Sequence, residues 1–167
     1  METQEVASIL FSSASIAASI LGFGAVASVF HPYGADKVRW QPDGRFWSMV
    51  SVSLATLFLS LIPIPILYMN IGVEKTWLLG GICQASAAVI LIALSCHFYP
   101  KNHAVGKPPN NLLFALLIIA LGMLALCGIL NIGIVGTPGI APYLIGIVVM
   151  LMTSGWLFTR LMYVWLT

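Results

Sequence analysis

PPNNLLFALLIIALGMLALCGILNIGIVGTPGIAPYLIGIVVMLMTSGWLFT, residues 108–159, runs for 52 residues without a charge, and three glycines and two prolines interrupt it between 131 and 142. A helix needs about 20 apolar residues to cross the hydrocarbon core of a bilayer. One crossing would leave most of this stretch without a place in a bilayer, whereas two helices joined at the Gly/Pro break fill it. The rest of the chain follows the same plan. Charges fall at Glu2 and Glu5, from Asp36 to Arg45, at Glu74 and Lys75, at Lys101 and Lys107, and at Arg160. The other uncharged gaps, 6–35, 46–73 and 76–100, are 30, 28 and 25 residues long, enough for one crossing each. The sequence therefore predicts an all-α integral membrane protein. It is a bundle of five transmembrane helices at about 6–30, 46–68, 76–99, 112–130 and 140–160, forming a single transmembrane domain over 1–167.

Composition points the same way. Hydrophobic residues make up 60% of the chain and charged residues 7%, against about 25% charged in a soluble domain. Lipid must solvate much of this surface. A net charge of +2 with scattered basic residues excludes nucleic acid as an expected partner. The loop from His31 to Arg45 mixes three basic residues with two Asp, too sparse for a polybasic lipid-binding segment, and reads as an ordinary cytoplasmic loop. The acidic start MetGluThrGlnGlu is unlike a secretory signal, so the first span is expected to be retained, and neither end carries a lipidation motif.

Small residues and prolines mark where helices should meet or break. Span 1 is rich in Ser, Ala and Gly, with Ser15/Ser19, Ala18/Gly22 and Gly24/Ser28 at four-residue spacing. Such faces let helix backbones approach in lipid, so span 1 is the expected central packing helix. Pro63 and Pro65 sit near the exit of span 2. Each removes a backbone donor, which should kink or unwind the last turns unless neighbours satisfy the freed carbonyls. In span 3, Gly80, Gly81 and the run Ala85 to Ala88 form another close-packing surface, and Gln84 is its most polar residue. The segment from Pro100 to Asn110 reads as an exposed loop.

Basic residues set the expected orientation. Five spans put Lys75 on one side of the membrane and Lys37, Arg39, Arg45, Lys101, Lys107 and Arg160 on the other. The positive-inside rule then places the N-terminus outside and the C-terminus in the cytoplasm.

The chemistry that is missing narrows the function. Away from their ends the spans contain no Asp, Glu, Lys or Arg, the residues that build proton relays and ion paths. No phosphate loop, zinc-protease helix or nucleophile elbow occurs. Cys83, Cys96 and Cys127 lack metal-site spacing and read as small apolar residues, with a Cys83–Cys127 bridge open only if spans 3 and 4 bring them together. His31, His97 and His103 with Cys96 fall at one predicted interface but match no metal signature. No cofactor and no metal are expected. One polar constellation remains: Ser12, Ser15 and Ser19 from span 1, Ser53, Thr56 and Ser60 on one face of span 2, and Gln84 and Ser86 from span 3. If these faces converge they form a neutral hydrogen-bonding site, with Gln84, Ser60, Thr56 and Ser15 as candidate binding residues; otherwise they join helices to one another.

The Arg45-led second span, the AsnIleGly turn at 131–133, and the last span with Tyr143, Gly146, Trp156, Phe158, Arg160 and Leu161 extend over most of the chain. In this pattern the chain resembles small multi-pass membrane proteins of bacteria to which no function is assigned. The resemblance implies a bacterial inner-membrane location and nothing about activity. Pro63 with Pro65 and the Ser-rich first span are not features of that group. The expected function is non-enzymatic: an accessory subunit or self-associating scaffold, whose partners are the lipid bilayer and a homo-oligomer or another membrane protein. The alternative is a carrier or channel for a small neutral or amphiphilic solute through the Ser/Thr/Gln-lined site. A redox or metal-binding membrane subunit is the third reading.

Overall fold

The charge-free gaps become helices because a helix satisfies its own backbone hydrogen bonds where no water is present. A computed structural model describes residues 3–30, 44–69, 71–103, 111–133 and 138–166, and contains no strand among them. Helix α1 spans Thr3–Phe30, α2 Gly44–Leu61, α3 Pro63–Tyr68, α4 Val73–His103, α5 Asn111–Asn131 and α6 Ile140–Leu166. The second span is α2 together with α3; α1, α4, α5 and α6 form the others, and all five are long and apolar enough to cross a membrane. The chain is an all-helical, multi-pass membrane protein. Only 28% to 39% of each span is buried inside the protein. Phe11, Phe23, Phe58, Val89, Ile119 and Met152 face outward, an apolar surface that suits lipid and not water.

Several boundaries extend beyond the sequence reading: α1 begins at Thr3 and α6 runs on to Leu166. Helix α4 starts at Val73, so Glu74 lies in its first turn, where a carboxylate favours the helix dipole. The same helix runs through Pro100 to His103, so the loop expected from Pro100 begins later. A proline's fixed φ is compatible with a helix, and near the end of a span the carbonyl it frees can be solvated. The charged segment 31–43, which includes His31, Lys37 and Arg39, lies outside the described residues, as does 104–110 with Lys107.

Helix α6 is the hub. Among the described residues it packs against α1, α2, α4 and α5, whereas α5 packs only against α4 and α6. Helix α1 touches α2, α3 and α6 but neither α4 nor α5. This overturns the expectation that α1 is the central packing helix. Its small residues are divided between two faces: Ala7, Ala14 and Ala17 are buried, while Ser8, Ser12, Ser15 and Ser19 are exposed. The close-packing surface expected on α4 is present. A Cβ on Gly81 would lie 2.9 Å from the Gly128 carbonyl of α5, and one on Gly128 would lie 2.7 Å from the Ala85 nitrogen. The α4 and α5 backbones therefore touch where neither helix carries a side chain.

The prolines interrupt hydrogen bonding without unwinding the backbone. Between α2 and α3, Ile62 keeps helical dihedrals (φ −55°, ψ −45°) and donates its N–H to the Phe58 carbonyl at 2.9 Å. Pro63 has no N–H to offer Leu59, the carbonyl one turn back. The Tyr143 hydroxyl of α6 supplies the missing donor, bonding the buried Leu59 carbonyl. Gly72 (φ 106°) and Gly133 (φ 86°) adopt left-handed conformations and make the turns that follow α3 and α5.

Replacing Tyr143 with Phe should destabilise the bundle by about 1–3 kcal/mol, because the Leu59 carbonyl loses its only substitute donor. In a Pro63→Ala background, where residue 63 regains an N–H, the same replacement should have a smaller effect. Unfolding of all four variants in detergent or bicelles measures this coupling; equal losses in both backgrounds would show that the hydroxyl does not compensate for the proline.

Candidate functional site

The polar interior gathers around Tyr143. Its ring lies against Trp77 at a centroid distance of 5.6 Å and over Gly80, where a Cβ would come within 2.9 Å of the ring. Its hydroxyl reaches α2 at Leu59. Its own carbonyl accepts a hydrogen bond from Gln84 Nε2 of α4 at 3.4 Å. Tyr143 therefore ties the second, third and fifth spans together. Gln84 fits because residue 146 is glycine: a Cβ there would collide with the Gln84 amide. Asn131 closes the same end of the bundle. Its Cβ lies against Gly81, and its Oδ1 accepts the Gly139 N–H at 3.1 Å, joining the end of α5 to the start of α6.

Of the four residues proposed from sequence, Gln84, Ser60 and Thr56 are fully buried and Ser15 is exposed. Thr56 bonds back to the Val52 carbonyl at 2.7 Å. Ser15 is not brought to the others; its hydroxyl donates to the Phe11 carbonyl at 2.9 Å. Ser12, Ser19 and Ser86 are also exposed and bonded within their own helices. Thr56, Ser60 and Gln84 thus share the interior, but the hydrogen-bond partners of Ser53 and Gln84 are on α6 and not on each other's helix. On α1, Ser12, Ser15 and Ser19 turn away from the bundle, whereas Ser13 is buried beside Ala14 and Ala17 and bonds back to the Ile9 carbonyl at 2.9 Å.

The residues that join the polar interior but were not proposed for it from sequence are Tyr143, Asn131 and Ser154. Ser154 forms a buried hydroxyl–hydroxyl hydrogen bond with Ser53, linking α6 to α2. The one available signal was Pro63, whose freed carbonyl calls for a donor on another helix. Three interior atoms have no protein partner among the described residues: Ser60 Oγ, Gln84 Oε1 and Asn131 Nδ2.

Cys83, Cys96 and Cys127 are free thiols. Cys96 and His97 are exposed near the far end of α4. Among the described residues no group of three or more His, Cys, Asp or Glu is placed to hold a metal. At that same end, Trp47, Ser51 and Val52 of α2 face Leu91, Leu94 and Ser95 of α4 across a shallow cleft. The chain matches no protein-family model, no curated protein and no solved structure.

The Ser53–Ser154 pair offers a direct test of how the interior is held. Ser154→Ala should destabilise by about 0.5–1.5 kcal/mol. Ser53→Ala with Ser154→Ala should be less damaging than the sum of the single changes, because neither hydroxyl is then left alone. Strict additivity in a double-mutant cycle would argue against the pair.

Proposed function

We propose that this protein is a small, non-enzymatic integral membrane protein that works by helix–helix association, as a self-associating scaffold or an accessory subunit of a larger membrane assembly. The observation that carries this reading is a stripe on the outer face of α1. Ser8, Ser12, Ser15, Ser19 and Gly22 recur at alternating spacings of four and three, and all are exposed. Gly22 has open space where a Cβ would lie. That spacing is the seam of a left-handed helix pair, and small residues let two helices in lipid come into close backbone contact. Nothing in lipid favours a hydroxyl-rich face, whereas a second helix does. Helix α1 lies at the edge of the bundle, so the stripe is available to one.

The burial of Gln84, Ser60 and Thr56 gives less support to the alternative, a carrier or channel for a small neutral or amphiphilic solute. Thr56 bonds within its own helix, and Gln84 seats against Gly146 of α6 and bonds to Tyr143. For location we propose a bacterial inner membrane, with the N-terminus outside and the C-terminus in the cytoplasm. The six-to-one division of basic residues supports that orientation.

Cysteine crosslinking tests the association. In a chain whose natural cysteines are replaced, Ser15→Cys should form an oxidised dimer in native membranes. Ile16→Cys, exposed on a different line of the same helix, should form far less. Crosslinking that is absent at residue 15, or equal at the two positions, would remove the proposal.

Orientation is tested separately. A reporter active only outside should work at the N-terminus, and one active only in the cytoplasm should work at the C-terminus. Both ends reporting from one compartment would refute an odd number of crossings.

A further inference from the structure

Gln84 and Asn131 each leave one half of an amide unused in the interior. Both residues are 0% exposed. Gln84 Nε2 donates to the Tyr143 carbonyl, while Gln84 Oε1 accepts nothing from the described residues. Asn131 Oδ1 accepts from Gly139, while Asn131 Nδ2 donates to nothing there. One acceptor and one donor are left over, a complementary pair.

The two residues that carry them are also rooted close together. The Asn131 Cβ is 2.6 Å from where a Gly81 Cβ would be, so Asn131 occupies the position of a Gly81 side chain on α4. Gln84 follows three residues later, and side chains at that spacing are rooted about 5–6 Å apart. Helical side chains lean toward the N-terminus, which brings the Gln84 amide back toward Gly81. Two hydrogen bonds of about 2.9 Å, end to end, span the same interval. An unpaired amide is costly in a low-dielectric interior, so a small neutral molecule with both a donor and an acceptor is strongly favoured here. The space beside the amides is limited, since Gly146 is already filled by Gln84 and a Cβ there would also lie 3.3 Å from Leu124.

We propose that the junction of α4, α5 and α6 binds a single structural water, which accepts a hydrogen bond from Asn131 Nδ2 and donates one to Gln84 Oε1. The water completes both amides and bridges α4 to α5 at the point where Gly81 and Gly128 bring the two backbones together. It occupies a binding site internal to the protomer, so the proposal stands independently of self-association.

Solid-state NMR of the full chain in lipid bilayers tests it, with polarisation transferred from water protons. The side-chain amides of Gln84 and Asn131 should both show water cross-peaks, and the backbone amides of Leu121 and Met150, buried in the apolar core, should not. Gln84→Met should abolish the cross-peak at Asn131 while the backbone spectrum is retained. No water cross-peak at either amide, a cross-peak at only one, or an Asn131 cross-peak unchanged by Gln84→Met would each overturn the bridge. The wild-type spectrum decides the matter even where the variant fails to accumulate.

Discussion

A polypeptide dissolved in lipid has no water to take up a hydrogen bond that the chain fails to make, and in this protein that constraint bears most heavily on one carbonyl. Pro63 removes the donor that Leu59 would otherwise have, inside the second span. The replacement comes from the fifth span, as the Tyr143 hydroxyl. For that hydroxyl to reach Leu59, the tyrosine must pass close to the third span, and it does so by packing over Gly80 and against Trp77. One absent N–H thereby sets the relative depth of three helices. The partners of Tyr143 do further work: Gln84 holds its carbonyl, and the glycine at 146 leaves room for Gln84.

The same constraint explains the use of the other polar side chains. Ser53 pairs with Ser154 across α2 and α6, and Asn131 closes the α5–α6 turn. Serines with no neighbour to reach, such as Ser12, Ser15 and Ser19, bond to their own helix. Among the described residues the fully buried polar side chains are uncharged; Ser53, Gln84, Asn131 and Ser154 tie one helix to another, while Thr56 bonds within its own. On the outer face of α1 a line of small residues, Ser8, Ser12, Ser15, Ser19 and Gly22, runs beside bulky apolar ones such as Phe11, Ile16 and Phe23.

Much of the architecture was legible in the residues. A charge in the middle of a span is so unfavourable that the positions of 12 charged residues (7 basic and 5 acidic), with the Gly/Pro break at 131–142, were enough to mark out five crossings. Gly80, Gly81 and Ala85 were legible as a contact surface, because close backbone approach is what such residues permit. The role of α1 was not legible. Small residues are equally suited to packing within a chain and between chains, and only the structure showed that Ala7, Ser13, Ala14 and Ala17 face the bundle while Ser8, Ser12, Ser15 and Ser19 do not. Tyr143, Asn131 and Ser154 were illegible for another reason: a single polar residue in an apolar run has no periodicity to betray its partner. Even Pro63, which announces a carbonyl in need of a donor, does not say which helix will provide it.

The amino-acid sequence alone determined how many times the chain enters the membrane and where each helix begins to leave it, because those follow from the local free energy of transferring residues into hydrocarbon. Only the tertiary structure decided which face of each helix is inside, why the fifth span and not the first is the hub, and which polar groups meet. Inside a bilayer the helices share one apolar solvent, so hydropathy hardly distinguishes a lipid-facing side from a protein-facing one; close packing and paired hydrogen bonds between particular residues make that choice.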